Sequence, residues 1–208
     1  MARYCGAVCR LCRREGEKLF LKGERCYTSK CAMERRQGGP GQHGRGRQAF
    51  SGFKVQLRAK QKAKRMYGLT EQAFRRCYTE AAQRRGVTGT EMLVALERRL
   101  DNCVFRLGFG ISRAQSRQLV SHGHILVNGS RVTIPSYAVS VGDTLEVVES
   151  KRGSVSVRAS IEASASRPSP GWLSLDRESL KGSVISLPTR EQIPASINEQ
   201  LVVELYSR

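Results

Sequence analysis

Four cysteines stand at spacings that suit a metal ion. Two residues separate Cys9 from Cys12, thirteen separate Cys12 from Cys26, and four separate Cys26 from Cys31. A two-residue gap lets one tight turn offer both sulfurs to a single ion, and the second pair does the same from a wider loop. Four thiolates fill a tetrahedral shell, so the expected ion is one structural Zn²⁺ with no open position for catalysis. An iron–sulfur cluster and free thiols are the alternatives. Cys5 is a spare that could replace Cys9, whose spacing to Cys12 is the tighter match. Seven cysteines is an odd number, which favours a metal site over a disulfide framework. Cys77 and Cys103 stand alone on apolar helical faces and read as small buried hydrophobes.

The cysteines lie in the most cationic stretch of the chain. Residues 1–65 hold 18 Lys and Arg against 4 Asp and Glu, a net +14 of the chain's +18. Such a surface calls for a polyanion, with nucleic acid first. No apolar run approaches the ~20 residues needed to span a bilayer, so no membrane partner is expected. The N-terminal residues lack a signal peptide's apolar block. His43 is a poor ligand, twelve residues past Cys31, and suits a phosphate or base contact better. The Gly-rich, cationic residues 37–47 cannot bury themselves and read as an extended or partner-ordered arm.

Helical signals follow. Residues 54–67 are Lys- and Arg-rich and stop at Gly68. Thr70 N-caps a helix carrying Ala73, Phe74, Cys77, Tyr78 and Ala81 on one face, ended by Gly86. Thr88 and Glu91 form a capping box opening a helix that runs to Arg106 before Gly108. Ser112 and Gln115 make a second box, for a helix ending near Gly123. It projects Arg113, Gln115 and Arg117 from one side, and His122 and His124 follow in a glycine turn. The pattern then changes to period two. Asn128-Gly129 joins Ile125–Val127 to Val132–Ile134, the strongest short hairpin signal, and Gly142-Asp143 precedes another strand at 145–148. Strands are expected at 172–175, 184–187 and 201–206, after a part-helical, part-linker stretch at 150–170.

Helix, turn and hairpin together would converge donors on RNA phosphates and 2′-hydroxyls. Arg113 to Gly129 resembles the RNA-binding module named after small-subunit ribosomal protein S-four. Val8–Gly16, Lys22–Cys26, Lys30–Ala32, Pro40–Gly44, Leu100–Asn102, Phe105–Phe109, Asn198–Leu201 and Tyr206–Arg208 extend the likeness along the whole chain. It is similar to the bacterial ribosomal S-four family, in its zinc-bearing, four-cysteine form. The resemblance implies a structural constituent of the small ribosomal subunit, cytoplasmic and not an enzyme. It implies direct binding to a helix junction in the 5′ domain of 16S-type rRNA, early assembly of the subunit body and a part in translational accuracy. It also implies S-five and S-twelve as neighbours, and mRNA close by where it enters the ribosome.

The fold class expected is α+β. A zinc-binding segment and basic arm fill 1–45, and a helical domain 46–97, to which the C-terminal residues could return. The RNA-binding module takes 98–165, and C-terminal strands at 166–208 complete an antiparallel sheet. The RNA-binding candidates are Arg3, Arg10, Arg13, Arg14, Lys22, Arg35, Arg36, His43, Arg45, Arg47, Arg58, Lys62, Arg65, Ser112, Arg113, Gln115, Arg117, His122, His124 and Asn128. Two rival readings fit the residues less well. Arg99-Leu100-Asp101 looks like the catalytic-aspartate motif of pseudouridine synthases, but no catalytic domain remains beside it. A DNA-binding zinc protein would need a recognition helix after the cysteines, where a glycine-rich arm stands.

Overall fold

A computed structural model of the protein describes residues 3–36, 38–46, 50–164 and 169–207. The chain divides into two compact units. One runs to Met92 and takes in the residues from Pro194 onward; the other spans Leu93–Ile193.

In the first unit, α1 (Cys9–Glu15) and α2 (Ala32–Arg35) flank a 3₁₀ turn at Gly23–Cys26. Then come α3 (Gly52–Met66), α4 (Glu71–Ala82) and, near the end of the chain, α10 (Glu199–Tyr206). Ser51 and Thr70 cap α3 and α4, their hydroxyls accepting from the Lys54 and Ala73 amides at 3.2 and 3.4 Å. The expected strand at 201–206 is a helix. Asn198 Oδ1 accepts from the Leu201 amide at 3.3 Å, and Leu201, Val202, Leu205 and Tyr206 recur at helical spacing, which outweighs the β-preference of the valine pair.

That helix packs on α3. Gln56 Nε2 donates to Glu204 Oε2 at 2.9 Å, and Tyr206 stacks on Tyr78 with centroids 4.8 Å apart. The Tyr206 hydroxyl donates to Glu71 at 2.8 Å, beside Lys60 at 2.6 Å and Lys64 at 2.8 Å.

The second unit begins within α5 (Thr88–Glu97) and continues through α6 (Leu100–Arg106) and α7 (Arg113–Ser121). Thr88 lies inside α5 rather than capping it, and the expected continuous helix to Arg106 is broken. The loop at 135–139 supplies the reason. Arg98 and Val139 bond through their backbones at 2.9 Å, and the Leu100 amide donates to Tyr137 at 2.8 Å. These tertiary bonds take groups that a continuing helix would need. Likewise α4 ends at Ala82, before Gly86.

Five antiparallel strands follow the order β2-β1-β3-β5-β4: β1 (Ile125–Val127), β2 (Ser130–Arg131), β3 (Thr144–Val147), β4 (Leu173–Asp176) and β5 (Lys181–Val184). Asn128 and Gly129 both have positive φ, +49° and +77°, as a two-residue primed turn requires. Pairing therefore starts at Ser130, and a turn at Ile134–Tyr137 diverts the chain before the strand expected at 132–134 can form. The last hairpin is tighter than expected. Asp176 Oδ1 accepts from the Glu178 amide at 3.0 Å and starts the return at Lys181 rather than Val184. Gly182 in β5 lies so close to α6 that a Cβ there would meet Leu107 at 2.6 Å. Two short helices, α8 (Glu149–Arg152) and α9 (Val155–Ser164), precede this hairpin. Ile125, Val127, Leu145, Val147 and Val184 form one core with Leu100, Val104, Leu107, Val120, Val157 and Trp172. The α+β class expected from the sequence matches this architecture.

Burial alone would raise the Glu71 carboxyl, but hydrogen bonds from Lys60, Lys64 and Tyr206 outweigh it and hold the group at about 2. A lowered carboxyl contributes stability above its unfolded value and loses it as pH falls toward the folded one. The stability of the first unit should therefore drop between about pH 4.5 and 2. Glu71→Gln should flatten that dependence when denaturation is followed by circular dichroism across the range.

Candidate nucleic-acid interface

The cysteine segment is built around one cavity. Cys9 and Cys12 line it from α1, Cys26 from the 3₁₀ turn and Cys31 from the cap of α2, with Val8, Leu21, Ala32 and Met33 as apolar walls. Cys5 is exposed and lies outside it. Positive φ at Gly16 and Gly23 lets the chain reverse between the cysteine pairs. The Lys22 amide donates to Cys26 Sγ at 3.4 Å, and the Leu19 amide donates to Cys12. Burial pushes the Cys12 thiol up against that amide, and the neighbouring Cys26, Cys9 and Cys31 add to the rise. Among the described residues no three His, Cys, Asp or Glu side chains are drawn into metal-holding geometry, so the four sulfurs share a cavity without converging on a point. A set of four soft donors around one small, apolar-walled space suits zinc in chemistry.

The segment's acids bind it to α3. Glu15, with its side chain 2% exposed, pairs with Arg58 at 3.2 Å and with Arg65, and Glu17 pairs with Lys62. Three of the expected RNA contacts are thus engaged inside the protein. Arg13 is a fourth: its Nε and Nη2 donate to the carbonyls of Gly38 at 3.1 Å and Gly39 at 2.9 Å. That clasp continues in a 3₁₀ turn at Gln42–Arg45, where the Gly39 amide donates to Gly44 at 3.1 Å. The expected arm is folded back here rather than extended. Arg47 and the side chains of His43 and Arg45 lie outside the described residues.

Lys18 pairs with Glu34, and the other described cations of the segment face outward. Arg3, Arg10, Arg14, Lys22, Arg35 and Arg36 are exposed and enter no ion pair among the described residues. Arg25 and Lys30, which sequence reasoning passed over, are exposed too. Their place in the cysteine loop was the available signal.

In the second unit, α7 is less free than its sequence suggests. Ser112 caps it, accepting from the Gln115 amide at 3.4 Å. Gln115 reaches back to the Ile111 amide at 2.7 Å and donates to Ser156 and Ser160 at 3.0 and 3.1 Å. Arg113 donates to Asn102 Oδ1 at 2.9 Å and covers the Phe105 ring at 4.5 Å. Arg117 donates to Asp101 Oδ2 at 2.8 Å, which Arg99 also holds at 2.9 Å. Buried Glu97 receives Arg106 through two bonds, at 2.7 and 2.9 Å, and Asn102 at 2.7 Å. Asp101 is therefore a buried structural anchor. Asn128 bridges its hairpin to the next turn, accepting from the Thr144 amide and donating to Asp143, both at 2.8 Å.

The histidines do face outward. His122 is exposed, His124 half-buried, and their rings meet edge to face 5.9 Å apart. Burial lowers the His124 imidazole, with Lys151, His122 and Arg131 adding positive charge around it. Arg131 and Lys151 are exposed and put positive charge beside the two imidazoles, again beyond the sequence-based candidates.

Two family models cover this layout. Residues 3–97 match the ribosomal protein S4/S9 N-terminal domain, and residues 98–145 match the S4 domain. Proteins described as small ribosomal subunit protein uS4 align with the full length of the chain and of themselves. The one from Solidesulfovibrio magneticus is 57% identical over 208 residues, that from Aromatoleum aromaticum 57% over 209, and that from Desulforamulus reducens 54% over 208. The chain belongs to the uS4 family. Within uS4 terms, the first model spans the cysteine segment and α3 to α5, and the second spans α6, α7 and the hairpin.

Arg113 and Arg117, projected from one side of α7, look dispensable to the fold in sequence, but their ties to Asn102 and Asp101 make them part of it. Taking the Arg113 bond from buried Asn102 Oδ1, and leaving buried Asp101 with Arg99 in place of two guanidinium partners, should cost about 1–3 kcal/mol. Thermal denaturation of the Arg113→Ala, Arg117→Ala double variant should show a fall of several degrees, and an unchanged melting temperature would exclude a structural role.

Proposed function

We propose that this protein is a structural, non-enzymatic component of the small ribosomal subunit, working in the cytoplasm within the ribosome. It binds the 5′-domain junction of 16S-type rRNA directly, helps nucleate the subunit body and contributes to translational accuracy. The observation that carries this reading is the full-length likeness to small-subunit uS4 proteins at 54–57% identity. The outward cations support it. Eight of them, Arg3, Arg10, Arg14, Lys22, Arg25, Lys30, Arg35 and Arg36, rise from one cysteine segment. Arg131 and Lys151 form a second cationic surface beside the β1–β2 hairpin, with the His122 and His124 imidazoles as polar neighbours. Affinity then comes mainly from release of counterions, and specificity from the shape of folded RNA. S-five, S-twelve and mRNA as neighbours belong to this reading through the family resemblance.

Zinc is part of the proposal. Cys9, Cys12, Cys26 and Cys31 would hold it, with the Leu19 and Lys22 amides steadying two of the thiolates. A bound zinc would supply a fixed, closed joint rather than reactivity. Around that joint Glu15 keeps the segment on α3, and Arg13 keeps the glycine turn against α1.

Two measurements test the proposal. If 6–10 phosphates are neutralised, affinity for a 5′-domain transcript should fall by roughly 10³–10⁵ between 50 and 200 mM salt, and a salt-independent affinity would sink the reading. Metal analysis should find one zinc per chain. Cys12→Ser should release it and loosen residues 1–45, with residues 90–208 still folded by hydrogen exchange; global unfolding would mean the metal's role is different.

A further inference from the structure

Two aromatic rings stand exposed on the cysteine segment. Phe20 and Tyr27 stack with centroids 5.0 Å apart and planes 29° from parallel. Tyr27 is 65% exposed and Phe20 38%. We propose that this pair is a stacking platform for an unpaired nucleobase of RNA. The proposal rests on the RNA-binding reading above and specifies one contact within it.

Burial does not explain the pair. Most of the Tyr27 surface faces water, so the two rings gain little by covering each other. The backbone nevertheless holds them firmly. Phe20 has φ +52°, a left-handed conformation that a bulky residue keeps only where its surroundings impose it. Those surroundings are visible on either side. Leu19 is fully buried with its amide bonded to Cys12, so the reversal at Phe20 turns the next side chain out of the core. Tyr27 follows buried Cys26 and donates its amide to the Glu24 carbonyl at 2.9 Å. Two rigid anchors thus present an open aromatic face.

Charge selects the occupant. The loop that joins the rings carries exposed Lys22 and Arg25, with Lys30 just beyond, against the single acid Glu24. Aromatic faces interleaved with cations are the chemistry that holds single-stranded nucleic acid, each base stacking as its phosphate is neutralised. A paired base offers no free face, so the target is a base that stands outside a helix.

The test uses full-length protein and a 5′-domain rRNA transcript containing 5-bromouridine. Irradiation of the wild-type complex should give a crosslink that peptide mapping places at Tyr27 or Phe20. Tyr27→Ala should weaken binding roughly 5- to 150-fold, the range that loss of one stacked base gives. Tyr27→Phe should bind as wild type does. The salt slope should stay parallel across the three proteins, because stacking neutralises no phosphate. Tyr27→Ala binding within twofold of wild type, with no crosslink at either ring, would overturn the platform and leave the rRNA reading standing. Should Tyr27→Ala disturb the cysteine segment, seen as altered metal content or melting, the wild-type crosslink decides. If wild-type protein shows no preference for the transcript over heparin, the rRNA reading itself falls.

Discussion

The fold depends on how few carboxylates there are and where they stand. With 36 Lys and Arg against 18 Asp and Glu, compaction brings like charges together, and the acids must separate them. Glu15, Glu71 and Asp101 each bridge two cations, and Glu97 receives Arg106 in a forked pair. Each lies where helices meet or turn: α1 on α3, α3 beside α4 and α10, and the break between α5 and α6. Removing Glu15 or Glu71 leaves two cations side by side on α3 and removes their tie to the next helix, and removing Asp101 leaves Arg99 beside Arg117, so these few positions govern far more than their number suggests.

This divides the cations into two populations. Those bridged inside, such as Arg58, Arg65, Arg99 and Arg117, have fixed geometry and little freedom to reach a ligand. Those left outside, such as Arg10, Arg14, Arg35 and Arg36, enter no ion pair among the described residues and carry the net charge to the surface. Net charge thus measures the interface better than the total of Lys and Arg does. The bridged set also holds the frame on which the free set is displayed.

Much of this could be read from the chain. Thr70 is legible as the cap that starts α4; Ser51 and Asn198 cap α3 and α10 in the same way without having stood out, and the valines of α10 argued for a strand. Asn128-Gly129 fixed its turn because both residues accept positive φ. The break after Glu97 was hidden, because it depends on bonds to Tyr137 and Val139, some forty residues away. Shorter separations, of 11 and 16 residues, obscured α7 as well. Arg113 and Arg117 share a face and look free in sequence, yet their partners Asn102 and Asp101 come from α6. For the cysteines, spacing revealed the grouping around one cavity, while the Arg13 clasp on Gly38 and Gly39 had no local signature.

The packing of α10 on α3 sets the order in which the chain can mature. Both helices belong to the unit that runs to Met92, yet more than a hundred residues of translation separate them. Residues 93–193 emerge complete while α3 still lacks its partner. Throughout that interval the Lys60 and Tyr78 side chains wait without Tyr206, so a nascent chain exposes this seam until α10 has been made.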